Sequence, residues 1–324
     1  MSNALRDMIK KAKAREDTGM PSLEEGIDRF MTVESRNRRN DDGRWHPSQI
    51  CGGMCPRFEV IERTRPDVVI QKSPPNAGLM QIFWLGTAIH AMYQNDVVGR
   101  MGHLWGFWRR VNGWDAEKQI PTWEIHEGFR PDWGTYSYAD KGEYIPDRTS
   151  CEYIEIGVEA EHNMGGHVDG LLFMGDVSEV PAGLTTAEFI ARFRDKIVIF
   201  ELKSCNSRVF DSLLKPKEIH VKQGQLYMRG LGIKKTLFLY YNKNTSQLKE
   251  YVVDYDPTVT AETVTDMIET NEALEKRYLP AKKTECTRAN SARAKACRGV
   301  RPCMTLGVGT AAVSQLRNYV GLPP

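Results

Sequence analysis

Glu201 and Lys203 close the apolar run Ile197-Val198-Ile199-Phe200, and upstream Asp169 sits in Gly166-His167-Val168-Asp169-Gly170. Side chains alternate across a strand, so Glu201 and Lys203 leave one face while Leu202 points the other way and offers its backbone carbonyl between them. Two carboxylates around a hard cation, with an ammonium beside them, are the working parts of metal-assisted phosphodiester hydrolysis. Taken singly, Asp-Gly before an apolar run is a turn signal and Glu-x-Lys is ordinary on a solvated strand. The apolar run shifts the balance. A strand buried on both faces holds Glu and Lys only at high cost unless they pair or bind a metal.

Two helices bring further candidates. Leu79, Ile82, Phe83, Gly86, Ile89, His90 and Tyr93 keep helical spacing and predict a helix over about 78–98. His90 lies one turn after Gly86 on that helix. A lone histidine on an apolar helix is ordinarily a hydrogen-bonded core residue; beside acidic strands it becomes a candidate third metal ligand. A second helix, over about 215–230 and ended by Gly230 and Gly232, places Gln223 and Tyr227 one turn apart on one face. They read either as the polar edge of an amphipathic helix or as contacts to a nucleic-acid strand or active site. Their position just after the Glu-x-Lys strand favours the second reading.

Strand-like segments at 152–160, 167–174 and 196–203 predict an antiparallel meander ending in the Glu-x-Lys strand, with a small helix or ordered loop starting at Leu184-Thr185-Thr186-Ala187-Glu188-Phe189. Further strands are expected at 236–241 and 249–254, then a helix from the N-cap pair Asp256-Pro257 to Pro280. This order implies a mixed α/β core with helices packed on its faces. Residues 1–45 read as a basic arm or linker, and 101–149 as an irregular insertion packed on the core. That insertion holds Trp105, Trp108, Trp114, Trp123 and Trp133, readable as base-stacking platforms or as a satellite core.

Seven cysteines, an odd count, argue against a secreted disulfide scaffold. Cys55 stands near the start of the folded region, and Cys286, Cys297 and Cys303 cluster near the other end. Four thiolates from opposite ends of the chain suit an iron–sulfur cluster better than zinc, whose structural sites favour short Cys-x-x-Cys knuckles. Cys51 competes with Cys55 for the first ligand position, and Cys151 and Cys205 read as buried thiols. Arg288, Arg293, Lys295, Arg298 and Arg301 lie among the last cysteines, so a cluster there also holds a basic surface able to track phosphates. Overall charge is only +2, which leaves nucleic-acid binding to such local patches. No apolar stretch reaches the roughly 18 residues that span a bilayer, and the N-terminus lacks the apolar core of a secretion signal; the expectation is a cytoplasmic protein with no membrane partner.

Taken in order, these motifs resemble those of the RecB-like branch of the PD-(D/E)xK nucleases, over about residues 46–304. The likeness is strongest to the iron–sulfur exonucleases, such as the CRISPR-associated exonuclease and the nuclease domain of AddB. Gly86 and His90 resemble the first motif, Asp169 the second, and Glu201 with Lys203 the third. Gln223 and Tyr227 resemble the trailing Gln-x-x-x-Tyr element, and Cys55-Pro56-Arg57 the leading cluster cysteine with its arginine. The interval from Cys286 to Cys297 is longer than the family's usual Cys-x-x-Cys, while five residues separate Cys297 from Cys303.

The resemblance implies a restriction-endonuclease-like core at 46–280, with a central mixed sheet flanked by helices. A cysteine-rich segment at 281–304 would close onto Cys55, followed by a tail at 305–324. It implies a 4Fe-4S cluster on Cys55, Cys286, Cys297 and Cys303. It also implies one or two Mg²⁺ or Mn²⁺ ions on His90, Asp169, Glu201 and the Leu202 carbonyl. The implied activity is exonucleolytic hydrolysis of DNA, on single strands or duplex ends, in recombination, repair or replication and in company with proteins of those processes; a viral setting is among those open. A non-cleaving accessory protein of the same fold and a zinc-stapled endonuclease or resolvase are the competing readings.

Overall fold

The computed structural model describes residues 43–70, 73, 75–115, 117–118, 120–131, 151–286 and 288–318, with a few positions among 27–33. The chain divides into two compact units, one of residues 1–42 and 72–87, the other of 43–71 and 88–324. The second unit carries the sheet and every candidate site residue except Gly86.

Its strands are β1 (Leu104–Asp115), β2 (Ile120–Phe129), β3 (Glu152–Ile154), β4 (Ile156–Ala160), β5 (Met164–Val168), β6 (Gly170–Phe173), β7 (Ile197–Cys205), β8 (Lys235–Asn242) and β9 (Leu248–Asp254). The central sheet runs β2-β1-β6-β7-β8-β9, with β3 also pairing to β1, while β4 and β5 form a separate two-stranded sheet. Among the paired strands of the described residues, β7 and β8 alone run parallel, in a register that sets Glu201 beside Phe238 and Lys203 beside Tyr240. A mixed sheet flanked by helices is the observed architecture.

The helices, in chain order, are α1 (Pro47–Cys51), α2 (Pro56–Thr64), α3 (Ala77–Ala91), α4 (Thr186–Phe193), α5 (Ser207–Ser212), α6 (Glu218–Leu231), α7 (Pro257–Glu275), α8 (Ala292–Ala296), α9 (Val300–Thr305) and α10 (Thr310–Arg317). Local chemistry explains their ends. Thr185 and Glu188 form a reciprocal capping box at the start of α4. Asp256 caps α7 through the Thr258 amide at 2.8 Å, and Gly232 closes α6 with a left-handed φ of 67°.

Strand β7 is buried on both faces, as its run of apolar residues requires. Ile197 and Ile199 pack with Trp105, Phe189, Tyr227 and Met228, whereas Phe200 and Leu202 pack with Ile89, Tyr93, Trp108 and Tyr153. Glu201 and Lys203 continue the first row, toward α6. A third cluster joins Trp45, Ile50 and Met54 to Leu226, Val264 and Met267. Trp45 is therefore core rather than the end of an arm; most of the expected arm lies outside the described residues.

Two expectations are corrected here. The stretch after Met101 is not irregular: β1 and β2 form a long antiparallel hairpin that extends the central sheet. Trp105 and Trp108 are core residues at 2% and 0% exposure, while Trp123 is exposed and stacks under the Arg109 guanidinium at 4.5 Å. Trp133 and the Trp114 side chain lie outside the described residues. The segments 152–160, 167–174 and 196–203 are not one meander either, because the chain leaves the small sheet at Val168 and enters the central one at Gly170.

The two ends of this unit meet through Arg57. Its guanidinium is fully buried and donates to the carbonyls of Pro280 (2.7 Å), Cys303 (3.0 Å) and Leu306 (2.7 Å). Val60 and Ile61 of α2 share a core with Leu279, Cys303, Val313 and Leu316. Arg57→Met would strand three buried acceptors. The expected loss is about 3 kcal/mol or more in urea denaturation, with faster amide exchange across α9 and α10; an unchanged midpoint overturns this account of how the ends are joined.

Candidate active site

Asp169 occupies the single-residue bend between β5 and β6. Strand β6 pairs with β7 only as far as Gly170 opposite Phe200. Beyond that point the Leu202 amide donates to Asp169 Oδ2 at 2.6 Å instead of to a strand. The N–H and C=O of an extended residue point to the same edge, so the Leu202 carbonyl faces the same opening.

The other Asp169 oxygen, Oδ1, lies 3.1 Å from His90 Nδ1. The Asp169 backbone carbonyl accepts from Gln94 Nε2 at 2.9 Å. Gln94 stands on a π-helical turn, Met92–Val97, that continues α3 and is closed by the Val98 amide on the Tyr93 carbonyl at 2.7 Å. Such wide turns recur where a helix must aim a side chain into a site. Gln94 also reaches Glu155 Oε1, at 3.4 Å, in the break between β3 and β4. His90, Glu155 and Asp169 bring three ligand atoms within 4.8 Å of one another.

Glu201 is 1% exposed. Lys203 Nζ donates to its Oε2 at 2.6 Å, while Oε1 is buried without a hydrogen-bond partner. Helix α6 lies over this pair. It approaches the sheet at Gly224, where a Cβ would stand 2.7 Å from the Phe238 ring, and it delivers Tyr227, whose hydroxyl accepts from Gln223 Nε2 at 3.0 Å.

Electrostatics make the site avid for positive charge. Burial pushes the Glu201 carboxyl up to about 7, with Lys203 opposing and Asp169 adding to the rise. Burial, and then the Asp169 charge, raise Glu155. Burial works against the His90 imidazolium, yet its hydrogen bond and charge pairing with Asp169 outweigh that and raise it. Lys203 is likewise raised despite burial, by Glu201 and Asp169. Burial, reinforced by Glu201, holds the Tyr227 phenol well above its usual range. An orphaned buried carboxylate oxygen among proton-holding acids is the surrounding a divalent cation fits.

The structure thus brings together His90, Asp169, Glu201, Leu202 and Lys203, with Gln223 and Tyr227 on the covering helix. It adds Glu155 and Gln94, which the sequence reading missed. Glu155 lies in Tyr153-Ile154-Glu155-Ile156, where alternation gives it the look of a solvated strand residue. The one signal available was an acid flanked by isoleucines two residues apart.

The cysteines form a second grouping. Burial raises Cys55, and the charges of Cys303 and Cys297 add to the rise; burial raises Cys297, with Cys303 and Cys286 adding to it. Cys51 is pushed up to about 12 by burial, and its charged neighbours are Lys222 and Lys203. Cys55 thus lies within electrostatic reach of Cys297 and Cys303, and Cys297 within reach of Cys286. Cys151 and Cys205 are half-buried rather than buried.

No protein-family model matches the chain, and comparison with curated proteins gives no match. Among solved structures, the crystal structure of SSO0001 superposes with a TM-score of 0.37 at 12% identity, over 86% of this chain and 98% of that one. An alkaline exonuclease, LHK-Exo from Laribacter hongkongensis, superposes with a TM-score of 0.27 at 22% identity, over 38% of this chain and 59% of that one. The same exonuclease in complex with dAMP gives 0.26 at 21% identity, over 38% of this chain and 58% of that one.

The raised groups set a pH dependence. Glu201 keeps its proton to about 7 when folded, against 4.5 unperturbed, so between those values the folded state binds more protons and loses stability as pH rises. His90, raised from 6.5, contributes in the same sense up to its own folded value. The metal-free protein is expected to lose on the order of 1–3 kcal/mol between about pH 5 and about pH 8, and Glu201→Gln to flatten that slope in denaturant titrations. A wild-type slope retained by the variant would remove Glu201 as its source.

Proposed function

We propose that the protein is a metal-dependent deoxyribonuclease that hydrolyses phosphodiester bonds exonucleolytically, on single strands or duplex ends. The observation that carries this reading is the unpartnered Oε1 of Glu201, buried beside Lys203 and within electrostatic reach of Asp169 and His90, which group with Glu155. His90, Glu155, Asp169, Glu201 and the Leu202 carbonyl would hold Mg²⁺ or Mn²⁺. Bound there, such an ion lowers the pKa of a coordinated water and neutralises charge that builds on the phosphate.

The chain's own groups do the rest. Gln94 fixes the Asp169 main chain, and the Leu202 amide fixes its carboxylate, so the acid is positioned before substrate arrives. Lys203 exchanges its contact with Glu201 for a phosphate oxygen or the attacking water, adding positive charge where negative charge grows. Gln223 and Tyr227 line the strand's approach from α6. The choice of DNA ends among phosphodiesters rests on the order of the motifs; partners in recombination, repair or replication follow from the same resemblance. No helix among the described residues is long and apolar enough to cross a membrane.

We also assign Cys55, Cys286, Cys297 and Cys303 to a 4Fe-4S cluster with a structural role. Its support is the mutual electrostatic reach of these thiols beside the Arg57 junction. The choice of an iron–sulfur cluster over zinc rests on the split spacing of the four cysteines along the chain.

Glu201→Ala and Asp169→Asn are each expected to cut Mg²⁺-dependent digestion of end-labelled single-stranded DNA by at least about a hundredfold, with EDTA abolishing it in the wild type. Persistent digestion by either variant would falsify the site; cleavage of closed circles would exclude dependence on ends. Cys297→Ser should bleach the visible absorption of anaerobically purified protein, and an unaltered spectrum removes that ligand.

A further inference from the structure

One polar group on the covering helix has no part in the machinery so far. His220 lies one turn before Gln223 on the face of α6 that also carries Tyr227. Its Nδ1 is 2.7 Å from the hydroxyl of Tyr240, the β8 residue in register with Lys203.

The proton positions at this contact follow from donor counting. Tyr240 is fully buried, and its hydroxyl oxygen accepts the Lys217 backbone amide at 3.0 Å. If Nδ1 carried the proton, the phenol oxygen would accept twice and its own hydrogen would be left buried without an acceptor. The hydroxyl therefore donates to Nδ1, and the imidazole proton sits on Nε2. Among the described residues Nε2 has no protein partner. Burial, followed by the charges of Lys203 and Lys217, lowers His220 to about 4, so the ring is neutral at physiological pH.

We propose that His220 is a ligand for the substrate strand: Tyr240 holds its imidazole in the Nε2–H form, and that N–H donates to a phosphate oxygen beside the one Lys203 serves. The proposal deepens the nuclease reading and rests on it. A neutral donor suits this place, because it adds a directional hydrogen bond to phosphate without placing a second full charge against Lys203. Tyr240 acts through His220 and is a positioning residue.

Two substitutions separate a substrate contact from a mere prop for Tyr240. The Asn side chain in His220→Asn accepts from Tyr240 in place of Nδ1 but offers nothing at Nε2; that in His220→Gln reaches the Nε2 position with an N–H. Steady-state cleavage of an end-labelled single-stranded oligonucleotide with Mg²⁺ is measured for both, alongside melting temperature and a Glu201→Ala control. The expected result is a KM raised about tenfold to a hundredfold in His220→Asn with unchanged melting, and recovery of most of that loss in His220→Gln. The reverse ranking, losses that track a falling melting temperature, or no change in either variant overturns the proposal. If cleavage depends on Glu201 but ignores His220, only this inference fails; if the wild type does not cleave, or Glu201→Ala cleaves equally well, the nuclease reading fails and takes it along.

Discussion

Where β6 ends at Gly170, the next place along the edge of β7 is filled by the Asp169 carboxylate in place of backbone. That substitution organises the whole site. A strand edge buried without partners leaves amides unsatisfied, and the carboxylate that repairs this edge is thereby locked beside Glu201 with its second oxygen turned to His90. Gln94 and Glu155 then gather on the same residue from the π-turn and from the break between β3 and β4. The hydrogen bond that completes the β7 edge is thus also the one that fixes the Asp169 carboxylate, while Gln94 holds its main chain.

Burial does the electrostatic work. Glu201 and Lys203 continue a row that begins with Ile197 and Ile199, and they inherit the low dielectric of that row. The pair neutralises itself on one oxygen and leaves the other unmatched. A buried ion pair is a weak source of stability, and this one stands at the opening left by β6. The same economy appears at the far end of this unit, where the Arg57 guanidinium satisfies carbonyls from the segments on either side of Cys303.

The parts legible in the sequence were those with a period or a punctuation mark. The apolar run gave away β7 and, within it, Glu201 and Lys203, although the strand continues to Cys205; helical spacing located His90, Gln223 and Tyr227; Asp256-Pro257 and Gly232 marked helix ends. The rest lacked such marks. Leu104 to Trp108 is apolar on both faces and interrupted by Gly106, so the first strand of the hairpin showed no alternation. Glu155 was hidden by an alternation that points to solvent, and it comes beside His90 and Asp169 where the chain changes sheets. Gln94 depends on a π-turn, which no apolar period announces.

That wide turn ties the site to a count of residues as well as to their identities. A regular helix advances each side chain by about 100°, and the segment Met92–Val97 holds one residue more than that winding accommodates. Shortening it by a single position would restore the ordinary winding and swing everything after it round the helix axis. Chain length between His90 and Val98 is thus under the same constraint as the acids themselves, and homologous chains that keep the acids while losing one residue there would have to anchor the Asp169 main chain by other means.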